Sequence, residues 1–174
     1  MPSLSTLLLR LMLLAWLSAP LAAGAARLVI FGEQHDQPDQ QRQVAAEVQS
    51  LAAEGRLAGV VLEMAETPHN TAALPRSADE ATVRDALHWQ GWPWEPYAPV
   101  VMAAVRAGVP VWGGNLPRAE MRSAMADRTL DARVDDSTRA ALTDAVRTGH
   151  CQLLPASQEP GMVRIQLARD PSMA

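Results

Sequence analysis

The chain of 174 residues contains no lysine: its 15 basic residues are all arginines, set against 19 acids for a net charge of −4. No basic field is available to hold nucleic acid non-specifically, and nucleic-acid partners are not expected. Cysteine is almost absent. Cys151 stands alone, so no disulfide can form within the chain, and it reads as a small semi-buried side chain before a ligand or nucleophile. Long apolar runs are confined to the first 26 residues. There Arg10 precedes an apolar stretch over 11–17, Pro20 breaks it, and Ala22, Ala23, Gly24, Ala25 and Ala26 offer small-residue cleavage sites. The run is too short to span a bilayer comfortably, and a secretory signal peptide over residues 1–26 is the expectation. No cysteine lies near the cleavage region, so lipid attachment to a mature N-terminal cysteine is not available. After cleavage no transmembrane span is expected, and the mature chain is placed in the periplasm or secreted. Its apolar content of 48% is enough for one globular domain over residues 27–174.

What is present is organised around residues 28–39. Leu28, Val29, Ile30 and Phe31 read as a short buried strand; Gly32 breaks the run, and Glu33, His35 and Asp36 follow at once. A helix then starts, with Asp36 or Gln37 near its N-cap and Pro38 in the first turn, where the missing N–H costs nothing. In an open α/β sheet the carboxyl ends of parallel strands and the helix starts beside them form the crevice where sites collect. Two carboxylates and an imidazole within four residues supply metal ligands and proton-transfer groups. The alternative is that they cap a helix and face water.

Val44, Val48, Leu51 and Ala52 continue at helical spacing to a C-terminal Gly55. Residues 59–64 are a second strand candidate whose anomaly is Glu63, a carboxylate expected at the strand end. It is costly there unless paired, ligated or protonated, and tolerated only if exposed. Ser77 and Glu80 form a capping-box pattern before a helix carrying Val83, Ala86 and Leu87. Trp89, Trp92, Trp94 and Tyr97 then fall within nine positions among Gly91, Pro93, Pro96 and Pro99. This loop is either a hydrophobic plug or a wall of a ligand pocket. Tyr97 either packs with its hydroxyl bonded or ligates ferric iron through its phenolate. A helix over 97–107 ends at Gly108, and a third strand over 109–112 leads into a Gly113-Gly114 turn. Asn115 is the expected N-cap of the next helix, with Pro117 in its first turn and Arg118 solvated or facing an anion. Asp136 or Ser137 caps a helix through Arg147 with Leu142 and Val146 inward, and residues 160–174 are helical around Ile165. His69, His88 and His150 stand at no metal-ligand spacing from another histidine and read as surface or loop imidazoles. The fold class expected is α/β, an open, mainly parallel sheet with flanking helices. Three strands make a narrow sheet, and the third is expected to leave an edge uncovered.

Gly32-Glu33-Gln34-His35-Asp36, Leu62-Glu63-Met64, Trp92-Pro93 with Tyr97 and Pro99, Asn115-Leu116-Pro117-Arg118, His150-Cys151, Gln166-Leu167-Ala168-Arg169-Asp170 and Met173-Ala174 together resemble the ChaN-type haem-binding uptake family. That family is similar to the Tiki metalloproteases and erythromycin-esterase-like proteins. The likeness runs from Leu28 to the last residue. It implies an exported bacterial α/β protein that binds haem during iron uptake, with Glu33, His35 and Glu63 as pocket residues and Tyr97 as a candidate haem ligand. The family domain usually continues through further strands and a Gly-x-x-His segment with no counterpart here, so an incomplete domain lacking its C-terminal part is expected. The lipobox of some members is also missing.

The first functional expectation is a haem-binding protein, not a catalyst, whose partners are haem and either an outer-membrane haem receptor or a second copy of itself. The second is a metal-dependent hydrolase in which His35 and Glu63 hold a divalent ion and Glu33 assists a bound water. It is weakened by the want of a second motif histidine. The third is a fragment with no function, because three strands bury less apolar surface than the fold needs.

Overall fold

The computed structural model describes residues 27–33, 35 and 37–173, with side chains through residue 171. The signal-peptide reading of residues 1–26 and the candidate acid Asp36 lie outside the described residues. The chain divides into two units, Met1–Gly32 and Glu33–Ala174. In the first, residues 27–32 carry no regular secondary structure, and Leu28 and Ile30 are exposed. The strand expected over 28–31 is not formed. An apolar run supplies the side chains of a strand but not the neighbouring backbone that must pair with it, and its own unit offers none among the described residues.

The second unit is a small parallel sheet with flanking helices. Helix α1, Pro38–Ala53, starts as expected with Gln37 at its N-cap and Pro38 at N1, and Gly55 follows it in the left-handed conformation. Its buried stripe is Gln41, Ala45 and Val48, the four- and three-residue spacing of one helical face. Strand β1, Val60–Glu66, and strand β2, Val111–Asn115, lie parallel, with Val60 opposite Val111, Val61 opposite Trp112 and Leu62 opposite Gly113. Between them come α2, Glu80–Ala86, and α3, Ala98–Ala107. Helix α3 ends on Gly108 at φ 78°, a conformation glycine adopts without steric cost.

Three local expectations are corrected. The cap of α2 is Asp79, not Ser77: its side chain accepts from the Thr82 N–H at 2.8 Å, while the Glu80 carboxylate accepts instead from the Trp94 indole at 2.9 Å. Asn115 is the last residue of β2, not a helix cap; the strand runs on through both glycines, and α4, Arg118–Ala126, has Pro117 at its N-cap. Position 113 requires glycine, because a Cβ there would lie 2.3 Å from the Glu66 carbonyl oxygen. Lastly, the outer edge of β2 is covered. After β1 the chain turns back so that the His69 carbonyl accepts from Gly113 N–H and Thr71 N–H donates to the Val111 carbonyl, both at 2.9 Å. Asn70 forms an antiparallel bridge with Trp112.

Two cores result. The first joins α1, both strands, α2, the aromatic loop and α3; Val83, Leu87, Val101, Ala104 and Val111 are fully buried in it, each valine contributing about 2 kcal/mol by removal from water. The second gathers Leu116, Ala124, Leu130, Val146, Val163 and Leu167 from α4, a 3-10 turn (Arg128–Arg133), α5 (Asp136–Gly149) and α6 (Glu159–Met173). The cap of α5 is Asp135, one residue before the expected pair, accepting from Thr138 N–H at 2.7 Å. Ion pairs from Arg147 to Glu159 and from Arg164 to Asp131 tie α6 to its neighbours. Cys151, expected to be semi-buried, is exposed, in a left-handed turn with φ 52° just after α5.

Gly113→Ala should lower stability by about 2 kcal/mol, because the added methyl meets backbone that cannot give way without separating the strands. Gly149→Ala is the matched control, since a Cβ there meets nothing within 4 Å. Urea midpoints measure both, and a Gly113→Ala midpoint equal to the wild type's would show that the strands separate at no cost.

Candidate functional site

The start of α1 and the start of α3 bring three side chains to one carboxylate. Glu33 lies just before α1, with its side chain 18% exposed. Gln41, one turn into α1 on the buried stripe, is 1% exposed, and Tyr97, immediately before α3, is 2% exposed. The Tyr97 hydroxyl donates to Glu33 Oε1 at 2.7 Å, and His35 Nδ1 lies 2.8 Å from the same oxygen. Gln41 Nε2 donates to Glu33 Oε2 at 3.1 Å. A carboxylate only accepts, so His35 Nδ1 carries a proton, and in the neutral ring that leaves the lone pair on Nε2. The imidazole itself is exposed, and Trp92 meets it edge-on with ring centroids 4.6 Å apart.

Most of the aromatic loop is a hydrophobic plug. Trp89, Trp94 and Tyr97 are buried; Trp89 packs against the other two rings at 5.0 and 5.5 Å and donates its indole N–H to the Trp92 carbonyl at 2.9 Å. Trp92 is half-buried and forms the side that faces His35. Burial raises the pKa of Tyr97 far above its ordinary 10.0, and the hydrogen bond to Glu33, the charge of Glu33 and the charge of Glu63 push the same way. The phenol is therefore held neutral and bonded. To ligate iron it would have to give up both its proton and its Glu33 partner.

Glu63 is not at a strand end, since β1 runs to Glu66. It forms an ion pair with Arg169 of α6, whose guanidinium also donates to Gln166 Oε1. A charge expected to need a partner has one. Among the described residues no three or more His, Cys, Asp and Glu side chains form a group that could hold a metal ion; His35 turns to Glu33 and Glu63 to Arg169. The other histidines lie elsewhere: His69 and His88 stack on each other at 4.5 Å, and His150 Nδ1 lies 2.7 Å from the Val146 carbonyl oxygen. Arg118 is exposed, its guanidinium lying over Gly91.

Two partners escaped sequence reasoning. Gln41 could have been found as the one polar residue on an otherwise apolar helical stripe. Arg169 had no such signal, because nothing in its own surroundings shows which distant acid it meets.

A family model described as haem-binding uptake, Tiki superfamily, ChaN matches residues 21–174. The chain belongs to this ChaN family. No curated protein matches it. Among solved structures, it is similar to a chain described as "Cofacial heme binding to ChaN of Campylobacter jejuni", with a TM-score of 0.63 and 20% identity. The match covers 82% of this chain and 62% of that one. At that identity the likeness establishes a shared fold, the ChaN-type α/β arrangement expected from the sequence.

The fold holds the Tyr97 proton more tightly than the unfolded chain does. That stabilisation is fully present below pH 10.0 and is lost as pH rises through the folded pKa. Denaturant unfolding on either side of pH 10.0 should show a fall in stability that Tyr97→Phe removes. Because Tyr97 is the single tyrosine, tyrosinate absorbance reads it directly; half-ionisation near pH 10.0 in the folded protein would contradict its burial.

Proposed function

We propose that this ChaN-family chain binds haem outside the cytoplasm as part of haem uptake, with His35 as an axial ligand to the iron. The observation that carries the reading is the exposed imidazole whose Nδ1 is anchored 2.8 Å from a carboxylate oxygen. Haem iron takes an imidazole nitrogen, and histidine ligands generally give their other N–H to a carboxylate or carbonyl that fixes tautomer and ring orientation. His35 meets that requirement, and the Trp92 ring beside it supplies an aromatic flank suited to a porphyrin. Glu33 holds His35, and Tyr97 supports Glu33 from the core; Glu63 is paired with Arg169. Family membership and the similarity to a chain described by its cofacial heme binding support haem as the group bound. The leader-like composition of residues 1–26 supports export. Among the described residues no helix is long and apolar enough to cross a membrane. A partner delivering or taking the haem, whether an outer-membrane receptor or a second copy of this chain, would meet it on the exposed side of His35. The hydrolase reading gains nothing from the geometry, which offers His35 and Glu63 separate partners and, among the described residues, no third donor.

Titration of the purified protein with hemin should give a saturable Soret band shifted from that of free hemin, and His35→Ala should weaken binding on the order of a hundredfold. Wild-type affinity and spectrum in His35→Ala would remove His35 as the ligand; no saturable change at micromolar hemin would sink haem binding altogether. For export, expression in a Gram-negative host followed by fractionation should recover a periplasmic product beginning near residue 27. A full-length product retained in the cytoplasm would refute that part.

A further inference from the structure

We infer that His69 and His88 form an acid-released clasp: stacked, they hold the segment after β1 against the margin of β2, and charging both rings lifts its His69 end. Neither imidazole belongs to the Glu33 cluster. The segment is fastened at two ends of different strength. At the far end Thr71 is buried; its N–H donates to the Val111 carbonyl and its hydroxyl oxygen accepts from Val111 N–H, both at 2.9 Å. At the near end His69 is half-buried, and its carbonyl accepts a single bond, from Gly113 N–H at 2.9 Å. Between them Asn70 braces the segment on itself, Nδ2 donating to the Pro68 carbonyl at 3.1 Å and Oδ1 accepting from Ala72 N–H at 3.0 Å. The His69 end gains its second attachment through its ring, stacked on that of His88 with centroids 4.5 Å apart and planes at 26°.

His88 is the fixed side of the pair. It follows α2 at φ 50°, and its own N–H and that of Trp89 donate back to the Asp85 and Arg84 carbonyls, both at 3.0 Å, which closes the helix end. Trp89 is buried in the aromatic loop, so the ring able to part is that of His69. Two neutral imidazoles stack as aromatics do, and one charge is tolerated as a cation against a ring. Two charges at that separation are not: near a protein surface their repulsion shifts an equilibrium by about tenfold or more. Histidine changes charge between pH 5 and 8, and the open arrangement takes the second proton more readily, so acid favours opening. The charged groups around the pair are Arg84 and Asp85, which line a groove with His88, Glu66, whose carbonyl accepts from His69 N–H at 3.1 Å, and Arg118, lying over Gly91. From β2 the pair meets Trp112 and Gly113, which carry no charge. Among the described residues neither imidazole is ion-paired to a carboxylate, so the second charge has no counter-ion to absorb it.

Amide hydrogen exchange, expressed as protection relative to the unstructured chain, reads both ends of the segment at once. From pH 8 to pH 5 the Gly113 N–H should lose about tenfold in protection, while Val111 N–H, held by the buried Thr71 end, keeps its own. His69→Phe, which retains a stacking ring that cannot be charged, should keep Gly113 protected at both pH values. His88→Asn, chosen because asparagine accepts the left-handed backbone, removes the stack and should leave Gly113 weakly protected at both. Gly113 protection that is unchanged by acid in the wild type, or that falls equally in His69→Phe, would overturn the clasp. So would Val111 and Gly113 losing protection together, which marks opening of the sheet as a whole. Because His88 is exposed, His88→Asn keeps the test open even where His69→Phe fails to fold: a Gly113 amide that still responds to pH in that variant overturns the clasp as well.

Discussion

One carboxylate organises the candidate site. Glu33 stands at the boundary between an exposed segment and the core, and its two oxygens collect donors from three places: the imidazole two residues on, an amide one turn into α1, and a phenol at the start of α3. Burying the amide and the phenol would be unfavourable without an acceptor for their protons. The same acceptor aims the imidazole outward. Removing Glu33 would leave two buried donors unpaired and the exposed ring free to turn, so packing and site geometry are coupled through a single side chain.

Much of the fold was legible because helices announce themselves locally. The stripe through Ala45 and Val48, Pro38 at N1, and the glycines at 55 and 108 all act within one or two turns of chain, where periodicity and cap chemistry decide the outcome. Strands were harder, because a strand is completed by a neighbour. Residues 28–31 have a strand's composition and no pairing in their own unit among the described residues, whereas Gly113 and Gly114, which look like a turn, belong to β2, which pairs with β1. The capping errors have a similar origin. Ser77 and Glu80 matched a pattern, but Asp79 stood nearer the first free N–H groups, and Glu80 was claimed by Trp94, fourteen residues away.

The candidate site was legible in its residues and not in its connections. Glu33, His35, Glu63 and Tyr97 were chosen as polar groups beside apolar runs or as chemically distinctive, and the structure brings Glu33, His35 and Tyr97 into direct contact. What could not be read was who holds whom. The Tyr97–Glu33 bond spans 64 residues and the Arg169–Glu63 pair spans 106, separations at which only the packing of whole elements decides the meeting. The stacking of His69 on His88 is of the same kind, joining the β2 edge segment to the end of α2.

That edge segment bears on how the protein behaves in company. A parallel strand at the margin of a small sheet exposes a row of backbone donors and acceptors on which another chain can template. Here the chain itself occupies part of the row along β2, with His69 and Thr71 bonded to Gly113 and Val111. Templated growth through β2 would first have to peel this segment away, so a partly unfolded molecule must lose the segment from 69 to 71 before that strand can seed aggregation.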